Sequence, residues 1–175
     1  MDWVTGDSRI VIVGGPSRGK STLAHELHQR HGWPVYCGDP ASKVVYQKPY
    51  TTYLPEGLDF AGDTGAAAWV AEHWFRLPAP WICEGHVMAR ALRRWRDLEL
   101  QQHDWWDECT LPCDRIIVLD REAHRETTRG QEAMHRGVMT HWSKIEEYYA
   151  PIATVLPHGT EGGAALDRGL HGALL

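Results

Sequence analysis

Residues 14–21 read Gly-Gly-Pro-Ser-Arg-Gly-Lys-Ser, a G-x-x-x-x-G-K-[ST] pattern, and its setting limits the fold more than any other feature of the chain. Before the loop, Arg9-Ile-Val-Ile-Val13 is a β-branched apolar run of the kind that forms a strand buried on both faces. After it, residues 21–31 carry helix formers, with Leu23 and Leu27 four apart. A strand covered on both faces needs helices above and below it, so the expected class is α/β with a parallel sheet. Glycines let successive N–H groups turn toward one anion, and the start of the helix adds the positive end of its dipole. The loop is therefore expected to cradle nucleotide phosphates with Gly15, Pro16, Ser17, Arg18, Gly19, Lys20, Ser21 and Thr22. Lys20 would reach the β- and γ-phosphates, and the Ser21 hydroxyl would ligate Mg²⁺.

The remaining pattern alternates strand and helix. Gly32 stops the first helix, and Trp33–Cys37 reads as a second strand ending at Gly38-Asp39-Pro40. Residues 40–63 lack periodicity and read as an irregular insertion. A helix over 66–77 ends at Pro78 and Pro80, and a third strand over 80–83 ends at Glu84-Gly85. An arginine-rich helix follows from Val87 to about Arg96, then a strand over Asp114–Asp120. Helices over 121–129 and 140–150 are expected around a turn from Gly130 to Gly137, as a hairpin over about 121–140. A weak strand over 153–156 and a helix from Gly163 would close a five-stranded sheet in a single domain, 1–175.

Charge and composition narrow the partners. With 18 Lys+Arg against 23 Asp+Glu, the net charge is -5 and the pI near 6.1. That excludes coating of nucleic acid by bulk charge but leaves room for a local basic groove. No apolar run approaches the roughly 20 residues needed to span a bilayer, and MDWVTGDSR lacks a basic region followed by an apolar core, so a cytoplasmic protein without membrane contact is expected. Cys37 and Cys83 read as buried strand thiols; Cys109 and Cys113, with His103 nearby, read as free thiols rather than metal ligands.

Four segments together resemble the P-loop kinases, the superfamily of nucleoside, nucleotide and small-molecule kinases and the 5′-hydroxyl kinase half of phage polynucleotide kinase. They are GGPSRGKS, which keeps that group's proline at Pro16; Tyr36-Cys-Gly-Asp39; Trp81-Ile-Cys-Glu84-Gly85; and the arginine-bearing segment after Asp120. Ser17-Arg18 departs from the Gly-Ser pair common there. The resemblance implies a P-loop kinase fold with a lid, ATP and Mg²⁺ as cofactors, Asp39 as catalytic carboxylate, Glu84 facing the metal, and lid arginines. Pro157-His-Gly-Thr160 lies where such kinases contact adenine through backbone.

Phosphoryl transfer to an alcohol asks for the same parts: a carboxylate near the attacking hydroxyl, cations around the transferring group, and exclusion of water. Asp39 at a strand end suits the first role, although Asp-Pro is also a common turn. Glu84 either serves the metal or caps the next helix. Arg121, Arg125 and Arg129 recur every four residues, and Arg125 and Arg129 are the candidate transition-state cations; pairing with Glu122, Glu126 and Glu132 is the plainer alternative.

Arg90, Arg93, Arg94 and Arg96 crowd one helix, and nine tryptophans with Tyr46, Tyr50 and Tyr53 offer faces for bases. Arg90, Arg93 and Arg94 with Asp39 are the candidate acceptor-binding residues. This look is similar to the small phage kinases that phosphorylate the hydroxymethyl group of 5-hydroxymethyluracil in DNA, which implies a DNA acceptor and the cytoplasm of a phage host. The alternatives are a kinase for a free nucleoside, nucleotide, DNA 5′-hydroxyl or small alcohol, and a nucleotide-binding module without transferase activity. Asp59-Phe-Ala-Gly62 fits the D-x-x-G of a GTPase, but it follows no apolar strand and the chain has no N-K-x-D, so ATP is expected.

Overall fold

The computed structural model describes residues 8–39, 48–55, 58, 62–103, 109–123 and 125–157. Strand β1 (Arg9–Gly14) runs through the glycine-rich loop into helix α1 (Lys20–His31) and strand β2 (Val35–Cys37). Strand β3 (Thr51–Tyr53), helix α2 (Gly62–His73) and a 3-10 turn (Trp74–Arg76) lead to β4 (Trp81–Gly85). Helix α3 (Met88–Gln102), β5 (Arg115–Asp120), α4 (Arg129–Trp142), the short α5 (Glu146–Tyr149) and β6 (Ala153–Pro157) follow.

All strands are parallel, in the order β3-β2-β4-β1-β5-β6. The apolar run of β1 is buried on both sides, as its composition requires. Ile10 and Ile12 point toward α1 and pack with Leu23, Leu27, Ile117 and Leu119. Val11 and Val13 point the other way, into a larger cluster with Trp81, Met88, Leu92, Val138, Trp142 and Tyr149. Within that cluster the Tyr149 hydroxyl donates to the Leu92 carbonyl at 2.8 Å, so its buried polar end is satisfied. From β1 the chain fills one half of the sheet with β2, β3 and β4, then crosses β1 to fill the other half with β5 and β6, so the strand order reverses beside β1 at the carboxyl ends of the central strands. Gly14, Asp39, Gly85 and Asp120 all fall at that edge.

Four expectations are corrected. The sheet has six strands, not five: within the segment expected to be irregular, Thr51-Thr-Tyr53 adds a strand beside β2. Its residues favour a pleated edge, but three residues are too few for a periodic signal. Among the described residues there is no helical hairpin at 121–140. Residues 121–123 and 125–128 are not helical, and one helix, α4, runs through both Gly130 and Gly137. A capping box between Thr128 and Gln131 sets its start, and burial of Val138 and Trp142 outweighs the roughly 1 kcal/mol that each glycine costs a helix. The helix expected over 140–150 is broken at Ser143, leaving only α5, and α3 runs on to Gln102 rather than stopping at Arg96.

Trp33, Trp74, Trp81, Trp95 and Trp142 are buried, so these five pack the interior instead of offering faces to bases. Tyr46, most of the segment 40–63, residues 158–160 and the helix expected from Gly163 lie outside the described residues.

Helix α4 seats directly on the glycine-rich loop. A Cβ added to Gly15 would lie 2.5 Å from the His135 Cβ and 2.7 Å from its Cα, and the latter is backbone that cannot rotate aside. Gly15→Ala is therefore expected to lower stability by about 1–3 kcal/mol, measured by urea denaturation. An unchanged midpoint would show that α4 is not fixed against the loop.

Candidate active site

Ser17 and Gly19 both adopt left-handed backbone, with φ of 58° and 88°. Helix α1 starts at Lys20 immediately after them, without a side-chain cap, so its first N–H groups stay available to an anion. The Lys20 side chain, 5% exposed, folds back over the loop. Its Nζ donates to the Gly15 carbonyl at 2.9 Å and lies 3.3 Å from Asp39 Oδ2.

Asp39 is brought there by the end of β2. The Gly38 N–H bonds the Glu84 carbonyl at 2.8 Å, and a Cβ on Gly38 would press on the side chains of Val87 and Met88, which would have to shift. Gly85, at φ 147°, turns the end of β4 so that His86 faces the same carboxylate. Both the His86 backbone N–H, at 2.6 Å, and its ring Nδ1, at 2.5 Å, bond Asp39 Oδ1. One oxygen of Asp39 is thus held by His86 and the other faces Lys20. Burial alone would push the Asp39 pKa up, but the Lys20 charge and the His86 hydrogen bonds outweigh it and hold the carboxyl well below its ordinary range.

Glu84, 2% exposed, accepts a hydrogen bond from Ser21 Oγ at 2.9 Å through Oε1. Its Oε2 is buried without a hydrogen-bond partner among the described residues. Burial, together with the nearby Asp39 charge, raises its pKa against the opposing pull of Lys20. Burial likewise works against the Lys20 charge, but Asp39 and Glu84 overcome it and raise the Lys20 pKa. A hydroxyl and an unsatisfied carboxylate oxygen side by side are hard oxygen donors that fit Mg²⁺, which takes few protein ligands and completes its shell with phosphate and water.

On the opposite flank, residues 121–132 grip the loop. Arg18, 5% exposed, places Nη2 3.0 and 2.8 Å from the two oxygens of Glu132. Arg121 Nε donates to the Arg18 carbonyl at 2.8 Å, and Arg125 Nε to Ser17 Oγ at 3.2 Å. His135 lies 3.4 Å from Asp120. A cavity of about 690 Å³ opens beside these residues, lined among others by Arg18, Arg121, Arg125, Thr127 and His135.

The structure brings Gly15–Ser21, Asp39, Glu84 and Arg125 to one edge. Thr22 is exposed on the first turn of α1, and Arg129 is exposed at the start of α4. Arg90 Nε donates to His141 Nε2 at 3.0 Å. Further along α3, Arg93 lies 3.7 Å from Asp97, and Arg94 lies 3.7 Å from Glu72 on α2. Two residues join the site in roles that sequence reasoning misses. His86 is legible only from its place one residue beyond Glu84-Gly85 at the same edge as Asp39; for Glu132 the sequence carries no signal of its contact with Arg18.

The chain thus has an α/β fold with a parallel sheet, a G-x-x-x-x-G-K-S loop between β1 and α1, Glu84 at the end of the neighbouring strand β4, and Asp39 beyond the end of β2, one strand further out. A family model described as an AAA domain matches residues 9–73. No curated protein matches the chain. Similar solved structures include a shikimate kinase from Acinetobacter baumannii in complex with shikimate, at 15% identity over 95% of this chain and 90% of that one, with a TM-score of 0.48. A thymidylate kinase from Candida albicans is 12% identical over 94% and 89%, with a TM-score of 0.49. A sugar kinase from Janibacter sp. HTCC2649 is 18% identical over 94% and 93%, with a TM-score of 0.40.

The raised pKa of Glu84 has a sign that can be checked. A carboxyl that holds its proton more tightly in the folded chain favours folding below the ordinary carboxylate pKa, and that contribution is lost as pH rises through the folded value. Glu84→Gln, which keeps an acceptor for Ser21, is therefore expected to raise the melting temperature of the nucleotide-free protein at pH 7 by on the order of a few degrees. The gain should shrink as pH falls toward 4, where the wild-type carboxyl is itself protonated. An unchanged or lower melting temperature at pH 7 would contradict it.

Proposed function

We propose that the chain is an ATP-dependent kinase that transfers the γ-phosphoryl group to a hydroxyl of a small acceptor. The observation that carries this reading is the meeting, at one strand edge, of the loop lysine with a carboxylate that has one oxygen fixed by His86 and the other facing the loop. Beyond balancing the Lys20 charge, a carboxylate held there supplies the proton acceptor that transfer to an alcohol requires.

The loop N–H groups and Lys20 would hold the β- and γ-phosphates, and the adjacent cavity has the volume for the rest of a nucleotide. Ser21 and Glu84 are the residues that would hold Mg²⁺, which when bound offsets phosphate charge. Lys20 engages Asp39 in the absence of phosphate and cannot serve both anions equally. As it turns to the phosphates, Asp39 Oδ2 is released and its pKa rises toward that of an ordinary carboxylate, because the charge that depressed it has moved. Oδ2 then accepts the acceptor's hydroxyl proton while the oxygen attacks the γ-phosphorus and the bond to the β-phosphate oxygen breaks. Arg125, at the rim beside Ser17, and Arg129, exposed on α4, are the cations that would meet the transferring group.

A small acceptor is favoured over a DNA strand because Arg93 and Arg94 each face a carboxylate and the net charge is -5. The hydroxymethyl group of 5-hydroxymethyluracil in DNA is the second reading, supported by the half-exposed arginine face of α3, with Arg90 one turn beyond His86.

Transfer of label from γ-labelled ATP with Mg²⁺ tests both, using free nucleosides, nucleotides, small alcohols, DNA with free 5′-hydroxyl ends, and DNA with and without hydroxymethyluracil. Label on a small acceptor is expected. Label only on hydroxymethyluracil DNA would move the acceptor to the second reading, and nucleotide binding without transfer to any acceptor would exclude a kinase acting on this panel. Against a labelled acceptor, Asp39→Asn should cut turnover by roughly 10²-fold or more while ATP binds no more weakly than to wild type. Lys20→Ala should abolish transfer and weaken ATP binding. Wild-type turnover in Asp39→Asn would remove Asp39 as the base.

A further inference from the structure

Ser17 holds a left-handed backbone, at φ 58°, that L side chains rarely adopt. The next residue, Arg18, buries a guanidinium with 5% exposure on the outer side of the loop. Neither conformation follows from local preference, and both are held from residues 121–132. Arg121 Nε donates to the Arg18 carbonyl, Arg125 Nε to Ser17 Oγ, and both Glu132 oxygens engage the Arg18 guanidinium. Glu132 is itself held by the Thr127 hydroxyl, which donates to its Oε1 at 2.5 Å. The Arg18–Glu132 pair joins side chains 6% and 36% exposed, so water screens the arginine little.

We infer that Glu132 is a positioning residue for nucleotide binding: through Arg18, and together with Arg121, it holds residues 17–18 in the anion-binding shape before the nucleotide arrives. The inference rests on the nucleotide-binding part of the reading above and is independent of phosphoryl transfer. Its consequence runs against simple electrostatics. Glu132 is a negative charge on the rim of a site for a polyanion, and removing such a charge should tighten binding. If Glu132 instead shapes the loop, removing it frees Arg18, relaxes the turn at Ser17 and weakens binding, because the nucleotide must then order the loop itself.

The experiment is titration of the full chain with ADP and Mg²⁺ by calorimetry, with melting temperatures measured in parallel to establish that each variant is folded. Glu132→Ala is expected to weaken ADP binding by roughly tenfold. Glu126→Ala removes a like charge from the edge of the same cavity and, by simple electrostatics, is expected to tighten ADP binding. In Arg18→Met/Glu132→Ala the affinity should fall no further than in the weaker single variant, since both remove the same contact. Unchanged binding by Glu132→Ala, or tighter binding matching Glu126→Ala, would overturn the inference even if Arg18→Met proves unstable. Losses that simply add in the double variant would also overturn it, since the two residues would then act separately. Failure of the wild-type chain to bind ADP would instead remove the nucleotide reading and this inference with it, so the two failures are distinguishable.

Discussion

A single buried ammonium organises this edge of the molecule. Taking Lys20 out of water costs several kcal/mol unless opposite charge and hydrogen-bond acceptors replace the lost solvent. The replacements are a carbonyl of its own loop and the carboxylates of Asp39 and Glu84, each arriving from a different strand. The loop and the segment after β2 thereby meet at one atom, while Glu84 acts on it from β4 through its charge. The tie is conditional, because phosphate can displace a carboxylate from the same ammonium. In the structure Lys20 and Asp39 are held against each other at one oxygen, and His86 holds the other oxygen of Asp39 independently of Lys20.

The second dependency is steric. Gly15, Gly38 and Gly85 each sit where another element passes too close for a Cβ: α4, the start of α3, and Asp39 with Gly38, respectively. The loop and the end of β4 are consequently packed against backbone, His135 Cα for Gly15 and Gly38 for Gly85, whereas Gly38 itself meets the side chains of Val87 and Met88.

Much of this is legible in the amino-acid sequence. The apolar run 10–13, the glycine-rich loop and Gly32 define β1, the turn and α1 because each rests on a local rule, and the register of parallel strands carries Asp39 and Glu84 to the same edge. Gly130 and Gly137 mislead, since glycine is a local signal of a turn, whereas burial of Val138 and Trp142 is a property of the assembled core. The fourfold spacing of Arg121, Arg125 and Arg129 suggests one helical face. In the structure, Arg121 and Arg125 belong to a non-helical segment that reaches the loop by hydrogen bonds. His86 and Glu132 act through geometry that only the fold creates.

The central place of β1 also bears on how the chain comes to be made. Its neighbours pair Ile10 with Ile82 on one side, and with Arg115 on the other. A strand that is apolar from Ile10 to Val13 and precedes both neighbours in sequence therefore emerges from the ribosome before either flank exists, and its second flank is complete only after residue 119 has been synthesised. Loop closure over such distances is slow, and an apolar strand with both edges open is a template for other chains. During synthesis, the segment that later anchors the glycine-rich loop is also the one most in need of cover, by early docking of α1 or by a chaperone.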